Sequence, residues 1–72
     1  MRVSESYGGF IIEPRSKQID SGEWQPGSRV FRLLDGVVHE YFPLSECAQS
    51  FASEEEADDF ALSESRDWVD RH

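Results

Sequence analysis

Residues 53–72, SEEEADDFALSESRDWVDRH, constrain the fold more than any other stretch of this chain. Ser53 stands as an N-cap with Glu56 three residues on, which makes a capping box. Glu54, Glu55 and Glu56 fill the first turn, where the helix macrodipole favours negative charge. Ala57, Phe60, Ala61, Ser65, Trp68 and Val69 then recur at spacings of three and four, giving one apolar stripe. The pattern predicts a helix over residues 53–70. Ala57, Ala61 and Ser65 are small enough to let that helix lie close to a sheet, with Phe60 and Trp68 anchoring its ends. Asp67 and Arg71 can pair at i,i+4 in the favourable order. Everything upstream reads as strands, so a single helix has to cover them.

The clearest strands are Arg29–Leu34 and Val37–Phe42, which flank Asp35-Gly36, the strongest short-range hairpin signal. A two-residue loop pairs Leu34 with Val37 and Leu33 with Val38, and so on outward. One face of this hairpin carries Arg29, Phe31, Leu33, Val38, Glu40 and Phe42. The opposite face carries Val30, Arg32, Leu34, Val37, His39 and Tyr41. The first set holds two phenylalanines and is the better core candidate, with Arg29 and Glu40 able to pair across the strands. The second set is hardly polar, so the face left uncovered needs an explanation.

Gly9 to Pro14 is a β-branched, aromatic-rich run that reads as the first strand. Pro14 lacks an N–H, which favours a sheet edge or the end of the strand. Thirteen residues of pure loop from Arg15 to Gly27 would be long for so small a domain. Asp20-Ser21-Gly22 is a turn signal, and Pro26-Gly27 fits a bulge or break. A long interrupted hairpin is therefore favoured over a structureless loop. Pro43 to Ala52 reads as a connector with Leu44 tucked inward.

Seventy-two residues make one small domain, of which residues 1–6 read as a flexible N-terminus and residues 9–43 as a β-meander. A core of this size rarely supplies more than about 3–5 kcal/mol. Cys47 is the single cysteine, so an intrachain disulfide cannot add to it. Dimerisation is the remaining route to more buried apolar surface. The net charge of −8 is uneven: residues 1–50 contribute −2 and residues 51–72 contribute −6. That balance disfavours non-specific nucleic-acid binding, which relies on cations displacing phosphate counterions, and adsorption to anionic membranes. With no apolar run of membrane-spanning length, a soluble, cytoplasmic protein is expected.

Candidate chemistry is sparse. The carboxylates of Glu54, Glu55, Glu56, Asp58 and Asp59 point around the helix cylinder, whereas calcium loops interleave carboxylates with turning backbone. His39, His72 and Cys47 lack the spacing of a zinc site. Glu46 beside Cys47 disfavours the thiolate that a nucleophile requires, and no serine stands in a context that would make His39 its base. No cofactor is expected and no enzyme is predicted. Trp24, next to Pro26-Gly27, is a candidate interface anchor. Arg32, His39 and Tyr41 have the residue types of a nucleic-acid platform, although flanking lysines are missing.

The pattern Tyr7, Gly9, Phe10, Ile12, then Gly22, Trp24, then Phe51, Ser53, Glu55, Glu56, Ala57, ending in Trp68, Val69 and Asp70, resembles a group of small uncharacterised proteobacterial β-β-β-α proteins. Those motifs are turns, caps and a helix stripe, and imply a fold without a chemistry. More faintly, the Gly-Phe-x-Ile-x-Pro start and the Ser-x-x-Glu-Ala helix are similar to HlyU-type regulators. The general layout is also similar to HicB-type antitoxin domains. No regulatory function is transferred from either.

The expectation is an α+β domain: a three-stranded antiparallel β-meander with one C-terminal helix packed on one face. Its function is expected to be that of a non-enzymatic interaction module, self-associating through the open sheet face or an edge strand. The partner would be a protein or a second copy of the chain. The candidate interaction residues are Trp24, Val30, Arg32, Leu34, Val37, His39 and Tyr41. The alternative is a nucleic-acid-associated regulator using Arg29, Arg32, His39 and Tyr41.

Overall fold

The computed structural model describes residues 4–72. Among these residues it is an α+β arrangement of antiparallel strands and one helix, with six strands in two sheets in place of a three-stranded meander. They are β1 (Glu5–Tyr7), β2 (Phe10–Pro14), β3 (Lys17–Gln18), β4 (Trp24–Gln25), β5 (Ser28–Leu34) and β6 (Val37–Tyr41), followed by α1 (Glu54–Asp70). The larger sheet has the order β1-β2-β5-β6, and β3 pairs with β4.

The added strand is β1. Glu5 and Ser6 were expected in a flexible terminus, yet they pair with Ile12 and Ile11. The remainder of that expectation, for residues 1–3, lies outside the described residues. Gly8 and Gly9, with φ of 56° and 84°, turn the chain in two residues. Two successive positive φ angles make a type I′ turn, whose twist matches the flanking strands.

The interrupted hairpin forms as its sequence suggests. One unbroken register runs from Ile11↔Phe31 through Pro14↔Ser28 to Lys17↔Gln25 and Gln18↔Trp24. The Arg15 N–H donates to the Gly27 carbonyl at 2.8 Å across the interruption. A side chain at Gly27 would sit 2.7 Å from that Arg15 carbonyl oxygen, so the two strands close up there only because Gly27 has none. Residues 15–27 are therefore an extension of the β2–β5 hairpin. Trp24 and Phe51 exchange backbone hydrogen bonds of 2.7 and 2.8 Å, which clamps the connector from β6 onto β4.

Ser53 caps α1 as predicted, its hydroxyl accepting from the Glu56 N–H. Ala57, Ala61, Leu62, Ser65 and Val69 are buried, and Phe60 stacks near Phe51 instead of reaching the core. The core is Phe10, Ile12 and Val30 from the sheet with Leu62 and Val69 from the helix, ringed by Tyr7, Tyr41 and Trp68.

The helix covers the face opposite to the favoured one. Val30 is fully buried while Leu33 and Val38 are exposed, because Ile12 pairs with Val30 and Tyr41 does so from the other side. Phe10, Ile12, Val30 and Tyr41 thus form one contiguous apolar patch across three strands. Counting phenylalanines in the hairpin alone missed the contribution of β2. Two arginines accommodate the outcome. Arg32, on the covered face, lays its guanidinium 4.5 Å over the Phe10 ring, and Arg29, on the open face, lies 4.1 Å over Phe31. Such cation–π contacts let a charged group shield an aromatic ring.

Candidate functional site

The β5–β6 hairpin continues beyond the helix as an arm. The structure measures 42 × 20 × 20 Å along its principal axes, and this arm carries a cluster of exposed apolar side chains. Leu33 is 66% exposed, Val37 56% and Val38 53%, with Leu34 at 41%. Because strand residues alternate sides, Leu33 and Val38 belong to the open face, and Leu34 and Val37 to the face that α1 leaves. Both faces of the tip are therefore apolar and open to solvent. Asp35 and Gly36 form the turn with φ of 52° and 79°, the type I′ geometry that Asp-Gly favours.

The open face has two parts. Near the base, Arg29 bridges to Glu40 at 2.5 Å and to Glu13 at 3.8 Å, a charged ladder across β2, β5 and β6. The Arg29 hydrogen bond holds the Glu40 carboxyl below its ordinary value, and that same bond raises Arg29. Toward the tip, half-buried Ile11 and Phe31 lead to Leu33 and Val38.

The two edges of the sheet differ. β1 is three residues long, and two of its side chains are bound to the helix. Glu5 receives two hydrogen bonds from the Arg66 guanidinium, at 2.6 and 2.7 Å. Tyr7 donates to the Asp70 carboxylate at 2.9 Å, which raises the phenol. A short, charged edge resists pairing with another strand. β6 is five residues long, exposed from Val37 to Glu40, and contains neither proline nor lysine.

The seven residues singled out in the sequence do not form one surface. Leu34, Val37 and His39 are exposed on the arm. Val30 lies in the core, and Tyr41 is half-buried against Trp68 at a ring separation of 4.9 Å. Arg32 is half-buried over Phe10, its Nε buried without a hydrogen-bond partner among the described residues. Trp24 belongs to the smaller sheet, where it anchors the Phe51 connector. Leu33, Val38 and Phe42, expected in the core, are exposed as well. Their signal was the near-equal apolarity of the two hairpin faces.

Other chemistry is thin. Cys47 is half-buried, and its carbonyl accepts from the Gln25 amide at 2.8 Å. Among the described residues no three histidine, cysteine or carboxylate side chains converge on a point that could hold a metal ion. A cleft of about 290 Å³ is lined by Phe42 and Leu44 together with Arg15 and Lys17. Arg15 is engaged by Glu13 at 2.6 Å. Among the described residues no helix is long and apolar enough to cross a membrane. No protein-family model, curated protein or solved structure matches this chain.

Proposed function

We propose that this chain is a non-enzymatic interaction module that associates with a protein, itself included, through the β5–β6 arm. The observation behind this reading is the solvent exposure of Leu33, Leu34, Val37 and Val38 together on one short projection. Exposed apolar side chains gathered on both faces of one projection mark an interface more often than a single exposed leucine does. The arm is rigidly specified, since its type I′ turn and the Arg29–Glu40 bridge fix its register. It therefore presents a preformed surface, which lowers the ordering cost of binding.

The nucleic-acid reading draws less support. Arg29 is bridged to two carboxylates, Arg32 covers Phe10 and Tyr41 packs against Trp68, so three of its four candidate contacts are already engaged inside the chain.

Sedimentation equilibrium over a wide concentration range tests the proposal. The expected outcome is concentration-dependent association, weakened by Leu33→Glu, a substitution at an exposed site that leaves the core intact. A strict monomer at high concentration, unchanged by Leu33→Glu, would refute self-association.

A further inference from the structure

We infer that the partner is a second copy of this chain, and that the two copies join by antiparallel pairing of their β6 strands about a two-fold axis at His39. This rests on the association proposed above and gives it a geometry.

The backbone phasing carries the argument. In a two-residue type I′ hairpin the residues flanking the turn exchange both backbone hydrogen bonds, and the bonded pairs then alternate along the strands. With Leu34 opposite Val37, the inward-facing residues of β6 are Val37, His39 and Tyr41. The N–H and C=O groups of Val38 and Glu40 consequently point away from β5. The same rule applied to the Gly8-Gly9 turn aims Phe10, Ile12 and Pro14 at β1, and Ile11 and Glu13 at β5. The missing N–H of Pro14 thus falls on the side away from β5. The two hairpins agree on one phase for the whole sheet.

No backbone hydrogen bond outside the sheet engages Val38 or Glu40 among the described residues. Both residues are exposed. The edge of β6 is therefore a template for another strand.

The template is self-complementary in one register. An axis at His39 sets Val38 opposite Glu40 of the second copy, and Glu40 opposite its Val38. All the outward backbone groups of the two strands are then matched. On the helix side the same register sets Val37 against Tyr41 of the second copy, an aliphatic–aromatic pair of the kind that stabilises sheets. An axis at Glu40 would place two carboxylates directly opposite one another, which is destabilising. An axis at Val38 would set Glu40 against Gly36, inside the turn. Charge and turn geometry leave the His39 axis. The product is one eight-stranded sheet with both helices on the same face.

Its strength follows from its size. Five residues span roughly 17 Å, a narrow strip beside the about 1,200 Å² that a standard interface buries. The association is accordingly weak and reversible.

Two experiments on the full chain test the geometry. The first is Val38→Pro, which deletes an outward N–H and spares the β5–β6 ladder, since proline is tolerated where the N–H faces solvent. A folded Val38→Pro chain, verified by circular dichroism, is expected to sediment as a monomer at concentrations where the parent associates. The second is disulfide trapping in a Cys47→Ser background. Two copies of His39→Cys would face each other as a non-hydrogen-bonded pair with Cα atoms about 4.5 Å apart, within disulfide reach. Two copies of Val38→Cys would lie roughly 8 Å apart, beyond the roughly 7 Å limit. Oxidation is expected to yield a covalent dimer for His39→Cys and not for Val38→Cys, and this arm decides the matter should Val38→Pro fail to fold. Equal trapping at both positions would overturn the register. Undiminished association of folded Val38→Pro would overturn edge pairing while leaving association through the apolar faces standing. A parent chain that stays monomeric would overturn self-association by either route.

Discussion

At the scale of single residues, one contact that joins helix to sheet inside the core is polar. The Ser28 and Ser65 hydroxyls lie 2.6 Å apart in a buried site, each satisfying the other where water is excluded. Removing one partner leaves the other hydroxyl buried and unmatched, at a cost of about 1–3 kcal/mol, whereas removing both relieves that penalty. Ser28→Ala and Ser65→Ala are each expected to lower the urea midpoint. The double variant is expected to lower it by clearly less than the sum of the two; strict additivity would show that the hydroxyls are not coupled. The sequence showed Ser65 as a small residue on the helix stripe, chosen for close approach. That it also meets a specific hydroxyl depends on strand register, which no local pattern encodes. The arginines carry the same lesson. Arg29 and Arg32 stand three residues apart in one strand and therefore face opposite sides. One ties a charged ladder and the other lids the core. Both are the same letter in the sequence.

At the scale of elements, local signals read true wherever the chemistry is itself local. The Ser53 cap, the Asp35-Gly36 turn and the interruption at Pro26-Gly27 all appear where their residues place them, and the α1 stripe does so in part, since Leu62, outside the predicted stripe, enters the core while Phe60 does not. β1 escaped because Glu5-Ser6-Tyr7 has no apolar alternation. It is held by pairing with β2 and by side-chain bonds to the far end of the helix, Glu5 to Arg66 and Tyr7 to Asp70. The covered face escaped for a related reason. It is decided by three strands together, and a two-strand count weighs the wrong pair of phenylalanines. The Gly8-Gly9 turn is where these long-range links concentrate. Gly8 has a φ of 56°, and a Cβ there would sit 2.9 Å from Val69 Cγ1. Gly8→Ala is expected to destabilise by about 1–2 kcal/mol from the left-handed backbone alone, with the Val69 clash added. Pairing it with Val69→Ala should recover the clash component, so the double variant unfolds at a higher denaturant concentration than independent effects allow. Independence of the two would mean that the turn does not bear on the helix.

At the scale of the whole molecule, a small core and a projecting apolar arm belong to one physical problem. A domain of this length has little apolar area to bury within itself, and this one leaves Leu33, Leu34, Val37, Val38 and Phe42 in solvent. Any partner that binds the folded chain and not the unfolded one adds stability by mass action. If the partner is a second copy, the melting temperature of the pure protein must rise with its own concentration. Charge sets the accompanying salt dependence. Each copy carries −8, so two copies repel, and added salt screens that repulsion. The melting temperature is therefore expected to become more concentration-dependent as ionic strength rises, the reverse of phosphate binding, which salt weakens. In Val38→Pro the concentration dependence should vanish, whatever the substitution does to the absolute midpoint. A midpoint independent of concentration in the parent, at both low and high salt, would mean that the arm stays exposed in the pure protein and that a second copy does not fill it.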